Sequence, residues 1–431
     1  MRHIVTKKIA LTAALKTRLL KWAQQFEEVV WLDSNNHVDR NSTFKAILAV
    51  DAFTAIKTDS QNAFDKLEEY QTRSKDWLFG YLSYDLKNDV ERLTSKNFDG
   101  LGFPDLYFFQ PKKVFLFSDT EVTLQYLNMV DDEVESDWEE ILKTPKFDEH
   151  TISESIKIKL RTSKDAYATQ VGKMLSHIHR GDIYEANFCQ EFFAENVTLD
   201  PVRSFIHLNE ISTSPFATFL KLNKHFALSA SPERYLKKTG TTLVSQPIKG
   251  TAKRLQDVIA DEKMVAKLQE DPKERSENIM ITDLVRNDLS RIAEKGTVKV
   301  DELCKVYSFK QVHQMISTIR CEVANDVTPS TILKNTYPMG SMTGAPKVAA
   351  MKIIEQLEDA KRGLYSGAIG YFTPVGDFDF NVIIRSILYN EAKKYVSFSV
   401  GGAITANSII ENEYEECLVK AKAMREVLER V

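Results

Sequence analysis

The sequence predicts an α+β fold built on antiparallel sheets with helices packed against them. Strand-like runs arrive in adjacent groups rather than in strict alternation with helices, which argues against a doubly wound parallel sheet. Helical periodicity is clear in the second half. Tyr167, Val171, Met174, Leu175 and Ile178 recur at i, i+4, i+7, i+8 and i+11, which is one face of a helix. At 431 residues the chain can bury a large core, as two domains or one elaborate one.

Taken in order, residues 1–22 read as an amphipathic first helix. The apolar run from Ile9 to Leu15 is short and is followed at once by Lys16 and Arg18, unlike a secretory leader. Strands are expected at VVWLD, KAILAVDAF, WLFGYLSYDL and LYFFQPKKVFLFSD. An acidic connection follows from Asp131 to Thr144-Pro145. Ser163 is a plausible N-cap and Gly181 a plausible helix stop. Asp182–Phe193 reads as a strand. Further strands are expected at HFALSA, TTLVSQPI, YSGAIGYF, FNVIIRSILY and YVSFSVGGAI. Helices are expected at 260–275, 276–289, 345–357 and 413–431.

Composition excludes several classes. A net charge of −4 gives no electrostatic case for nucleic acid. No stretch approaches the ~20 apolar residues of a membrane span. Cys189, Cys304, Cys321 and Cys417 are far apart and form no CxxC pair, so a reducing, cytoplasmic setting is expected.

Chemistry concentrates between Glu233 and Glu416. Lys249, between Ile248 and Gly250-Thr251, is either a desolvated nucleophile or a strand-end lysine with its head in water. Glu274 and Glu277 are three apart, as are Glu413 and Glu416, and both segments are helix-like. Each pair therefore projects from one face. One glutamate of each pair on a hard cation such as magnesium, and the other acting through water, would suit that ion; a plain solvated face is the alternative. Residues 340–347 are not a phosphate loop of the Walker type, since Val348 replaces the required hydroxyl and Pro346 removes an amide. The turn can still bind an anion at the helix that follows, or be an ordinary turn. Arg385, among aliphatic residues, needs an anionic partner from protein or ligand. Gly401-Gly402-Ala403 lets a ligand approach the backbone or forms a bulge. His313 is a candidate acid/base or a packed core histidine.

In this order the strings SPERYL, PIKGT, ENIMITDLVRNDLSRIA, YPMGSMTGAPK, YSGAIGYF, VIIRS and GGAITANS with EYEE resemble the chorismate-utilising enzymes. That family includes anthranilate synthase component I, aminodeoxychorismate synthase component I, isochorismate synthase and salicylate synthase. The strong match runs from about Ser163 onward. The resemblance implies an α+β sandwich of two antiparallel sheets with a cleft between layers. It implies residues 1–150 packing on a chorismate-binding catalytic domain, 151–431. It also implies magnesium on Glu277 and Glu416, with Glu274 and Glu413 acting through water. Arg385, Tyr365 and the Gly401, Gly402 and Ala403 amides would hold a substrate carboxylate. Thr343 and Lys347 lie in the substrate-contacting turn, and His313 matches a histidine near the ring.

Lys249 selects a branch. Anthranilate synthases resembling this chain carry alanine there, and aminodeoxychorismate synthases carry lysine. The resemblance implies attack by this lysine at C2 of chorismate, with Glu233 as acid for the departing C4 hydroxyl. Ammonia entering at C4 then gives 4-amino-4-deoxychorismate. Anthranilate synthase component I is the alternative. Glu185 stands where amidotransferring relatives have glutamine. No glutaminase motif is recognisable, so a separate glutamine amidotransferase subunit is the expected ammonia source. VVWLDS resembles a region that binds tryptophan in the anthranilate branch, and a bound tryptophan is possible here.

Overall fold

The computed structural model describes residues 1–37, 40–145, 155–309 and 312–429. The pairings between its named strands are antiparallel, and they join strands from both halves of the chain. Glu28–Asp33 pairs with Phe216–Leu222, and Leu78–Leu82 pairs with Ala368–Phe372. The expected boundary at 150/151 lies outside the described residues.

Two large apolar clusters form the core. In the first, Leu19 and Trp22 of the Ala13–Trp22 helix meet Tyr167, Val171 and Met174 of the Lys164–Arg180 helix. Phe188 and Phe192 from the central Glu185–Ala194 strand and Met424 of the Ile410–Glu429 helix complete it. In the second, Phe79 and Phe108 of the Leu78–Leu82 and Leu106–Phe117 strands pack with Leu220, Phe372 and Phe380. Burying each such side chain contributes about 1.5–3 kcal/mol.

Local signals explain most boundaries. Ser163 accepts from the Ala166 amide at the start of its helix, and Gly181 ends it at φ +87°. Three expectations are corrected. Residues Arg2–Lys8 form a strand along Glu121–Leu127, and the first helix begins only at Ala13. The expected helices at 260–275 and 276–289 are Val258–Glu270 and Pro272–Ser290. Pro272 cannot continue a helix but suits its first turn, and Asp271 caps the new start by accepting from the Lys273 and Glu274 amides. The run around Arg385 is two strands, Phe378–Asn381 and Ser386–Asn390. They pair with different neighbours, Arg234–Thr239 and His225–Ser231, so the chain must step between them at 382–385. No helix among the described residues is long and apolar enough to cross a membrane.

Candidate active site

A cavity of ≈ 1240 Å³ opens between the Pro272–Ser290 helix, the Ile410–Glu429 helix and the strand layer. Lys249 enters it from the Ile248–Lys253 strand. Pairing of that strand with Val312–Glu322 slips between Ile248 and Thr251, and such a bulge re-aims side chains. Gly250 sits in it at φ +93°, where a Cβ would come within 3.1 Å of Glu274 Oε2. Asn278 clamps the bulge to the helix by donating to the carbonyls of Lys249 at 3.2 Å and Met315 at 3.1 Å.

Glu233 sits at the turn between His225–Ser231 and Arg234–Thr239. Its carbonyl accepts from the Val382 amide, and Ser231 Oγ donates to the Val382 carbonyl, which ties this turn to the step carrying Arg385. Arg385 lines the cavity at φ +52°. Burial lowers its pKa, opposed by Glu233. Burial also raises the Glu233 carboxyl to about 7, against the pull of the Ser341 hydroxyl, Lys249, the Ile248 amide and Arg385.

Both expected glutamate pairs reach this cavity from the N-terminal part of a helix. That end of a helix favours negative charge. Gly402 lies beneath the second pair: a Cβ there would stand 3.4 Å from Glu413 Oε2 and 3.7 Å from Glu416 Oε1. Lys273 spans the two helices, 3.8 Å from Glu277 and 3.6 Å from Glu413. Lys420 pairs with Glu416 at 2.7 Å and donates to the Gly401 carbonyl at 2.8 Å. Burial raises the Glu277 carboxyl to about 7, and burial with repulsion from Glu416 raises Glu274. On Glu416, burial is outweighed by Lys420, Lys273 and Lys249, and its pKa falls.

These carboxylates fit a hard divalent cation. Glu277 Oε1 is buried without a hydrogen-bond partner, and Glu274 and Glu416 repel across the gap. Among the described residues no three acidic, histidine or cysteine side chains converge into a ready cation cluster. Magnesium needs none, because it keeps several waters and takes one or two carboxylates beside an anionic substrate.

Tyr365, Gly401, Gly402 and Ala403 line the same cavity. Gly401 is required by packing, since a Cβ there would fall 2.3 Å from the Phe188 carbonyl oxygen. Three expected site residues do not line it. His313 is turned to the other side of its strand, where Nε2 meets Asp261 and Nδ1 meets Ser308, each at 2.8 Å. Successive strand residues face opposite ways, so Gln314 and Val312 face the cavity instead. Thr343 folds its hydroxyl back to the Met339 and Gly340 carbonyls, and its neighbours Ser341 and Met342 face the cavity. Lys347 points into the protein and pairs with Asp288 at 2.6 Å, also donating to the Pro338 carbonyl.

Lys347 is therefore a structural cation. Lys347→Met is expected to lower stability by ~3–5 kcal/mol in urea unfolding by leaving Asp288 buried and unpaired. Adding Asp288→Asn should recover part of that loss.

Sequence reasoning missed Gln314. It lines the cavity, and both its amide atoms are buried without hydrogen-bond partners. The signal was present: only one of two adjacent strand residues can face a cleft, but choosing between them requires the register.

Residues 14–426 match the family described as chorismate binding enzyme. The chain is 32% identical over 375 residues to aminodeoxychorismate synthase component 1 of Escherichia coli, covering 86% of this chain and 82% of that protein. It is 34% identical over 357 residues to anthranilate synthase component 1 of Thermus thermophilus, covering 81% and 77%. Anthranilate synthase component I from Streptococcus pneumoniae superposes with a TM-score of 0.78 at 26% identity, over 90% of this chain and 93% of that one. MenF, the menaquinone-specific isochorismate synthase from Escherichia coli, reaches 0.78 at 15% identity over 99% and 95%, a likeness of fold.

Proposed function

Because the chain belongs to the chorismate-binding enzyme family, we propose that it aminates chorismate at C4, as an aminodeoxychorismate synthase component I. One observation carries this reading: Lys249 stands in the cavity at the bulge, among Glu185, Glu233, Glu277 and Glu416. Its amine attacks C2, and the C4 hydroxyl leaves as water with a proton from Glu233. That acid is well matched to the task, since a carboxyl at about 7 still holds a proton near neutral pH. Ammonia then bonds to C4 as the bond to Lys249 breaks.

Arg385, Tyr365 and the Gly401–Ala403 backbone would orient the substrate carboxylates, with Gln314 against the ring. Magnesium, held by Glu277 and Glu416 with Glu274 and Glu413 behind them, would neutralise substrate charge that four glutamates otherwise repel. The four cysteines are all buried, so none is placed to attack glutamine. A separate glutamine amidotransferase subunit is the proposed ammonia source, with free ammonium as its substitute in vitro.

The rival reading is anthranilate synthesis, which the similar identity to a protein of that name favours. Product analysis separates the two. Purified protein with chorismate, magnesium and ammonium is expected to give 4-amino-4-deoxychorismate, seen as 4-aminobenzoate after a downstream lyase. Removing magnesium should stop turnover. Anthranilate and pyruvate from the wild type would overturn the C4 assignment while leaving the family intact.

A further inference from the structure

We propose that Glu185 is the proton acceptor that frees the Lys249 amine for attack. The inference rests on the C4-amination reading. Lys249 Nζ lies 3.7 Å from Glu185 Oε1, and Glu185 is 1% exposed. Its other oxygen, Oε2, is buried with no partner. Its backbone is fixed by pairing on both sides, with Thr405 and with Ala345, and burial leaves the side chain little room. The Lys249 backbone is likewise fixed, through its carbonyl, by Asn278.

A nucleophilic lysine must first lose a proton, and its surroundings oppose this. Burial pushes its pKa down, but Glu185, Glu277, Glu233 and Glu416 together hold it above the ordinary lysine value. Those four acids are the candidates to receive the proton. Glu233 must keep its own proton to give to the leaving hydroxyl. Glu277 and Glu416 stand at the cation position, with Lys273 and Lys420 beside them. Glu185 is left, and it faces Lys249 as its charged neighbour. Burial raises its pKa, so receiving a proton removes an unfavourable buried charge.

The step balances. A Lys249 N–H bond breaks and the proton passes to Glu185. The freed lone pair bonds C2, the two ring double bonds shift, and C4–O breaks as oxygen takes the Glu233 proton. Ammonia then bonds C4, the double bonds shift back, and the C2–N pair returns to Lys249. The free amine recovers its proton from Glu185, and Glu233 is reprotonated from solvent.

The test is the pH dependence of kcat for Glu185→Gln against wild type, in the full chain with magnesium, chorismate and saturating ammonium. The expected deficit is on the order of 10²-fold at pH 7. It should narrow about tenfold per pH unit as solvent takes over deprotonation of Lys249. Taking the ratio to wild type cancels the Glu233 limb, which both proteins share. Glu185→Asp, which keeps a carboxylate, should show a smaller deficit with no such slope. Wild-type activity in Glu185→Gln would overturn the proposal, as would a deficit of equal size at every pH, the mark of a structural role. These outcomes are separate from those that test the parent reading, the identity of the wild-type product and the activity of Lys249→Ala.

Discussion

Lys249→Ala is expected to lower 4-amino-4-deoxychorismate formation by roughly 10⁴–10⁶-fold, the range that removing members of a covalent catalytic triad spans. The expectation follows from position. The bulge at Ile248–Thr251 and the Asn278 clamp fix the backbone from which this side chain enters the cavity. The residual product should move towards anthranilate, because truncation empties the space beside C2 that the lysine fills. Acid-quenched wild type in turnover should carry a ring adduct on the peptide containing Lys249, detectable by mass spectrometry. A variant that still makes 4-amino-4-deoxychorismate at wild-type rate would reduce Lys249 to a binding cation.

Glu233→Gln carries the second large effect and has two independent readouts. Loss of the acid should lower kcat by roughly 10²–10⁴-fold. Wild-type activity should fall as pH rises through about 7, where Glu233 loses its proton, and the variant should lack that limb. Stability should move the other way. The folded pKa, about 7, lies above the ordinary glutamate value of 4.5 that the unfolded chain keeps. Between those values the native state holds a proton that the unfolded chain has lost. Stability from this group is therefore complete below 4.5, declines up to 7 and is flat above. The loss amounts to roughly 3 kcal/mol at 1.36 kcal/mol per unit. Glutamine cannot ionise, so Glu233→Gln should match wild type in urea unfolding at pH 4 and exceed it at pH 8. A variant less stable than wild type at pH 8 would mean that Ser341, Lys249 and Arg385 fully compensate the buried charge.

Much of the architecture was legible in local signals. The helix after Ser163 follows from its cap, its apolar stripe and Gly181, all of which act within a few residues. The Glu274/Glu277 and Glu413/Glu416 pairs were legible as pairs because i, i+3 spacing fixes their common face. That the pairs face one another across a cavity was not legible, since it depends on how two helices distant in sequence pack. The helix boundary expected at 275/276 falls at Asp271 because two signals, a cap and a proline, outweigh a continuous helical texture.

The family, the antiparallel α+β class and the residue types of the candidate site could be read from short stretches, because motifs, caps and periodicities are local properties. Tertiary structure decided which of those residues share a cavity. Strand register turned His313 towards Asp261 and Gln314 inward, since a shift of one residue reverses every side chain. Packing paired Lys347 with Asp288, fifty-nine positions away, because a buried ammonium must find a carboxylate. The same logic brought Glu185 to Lys249 from a different strand. Partners so distant in sequence leave no local trace: their meeting is fixed by sheet pairing and burial.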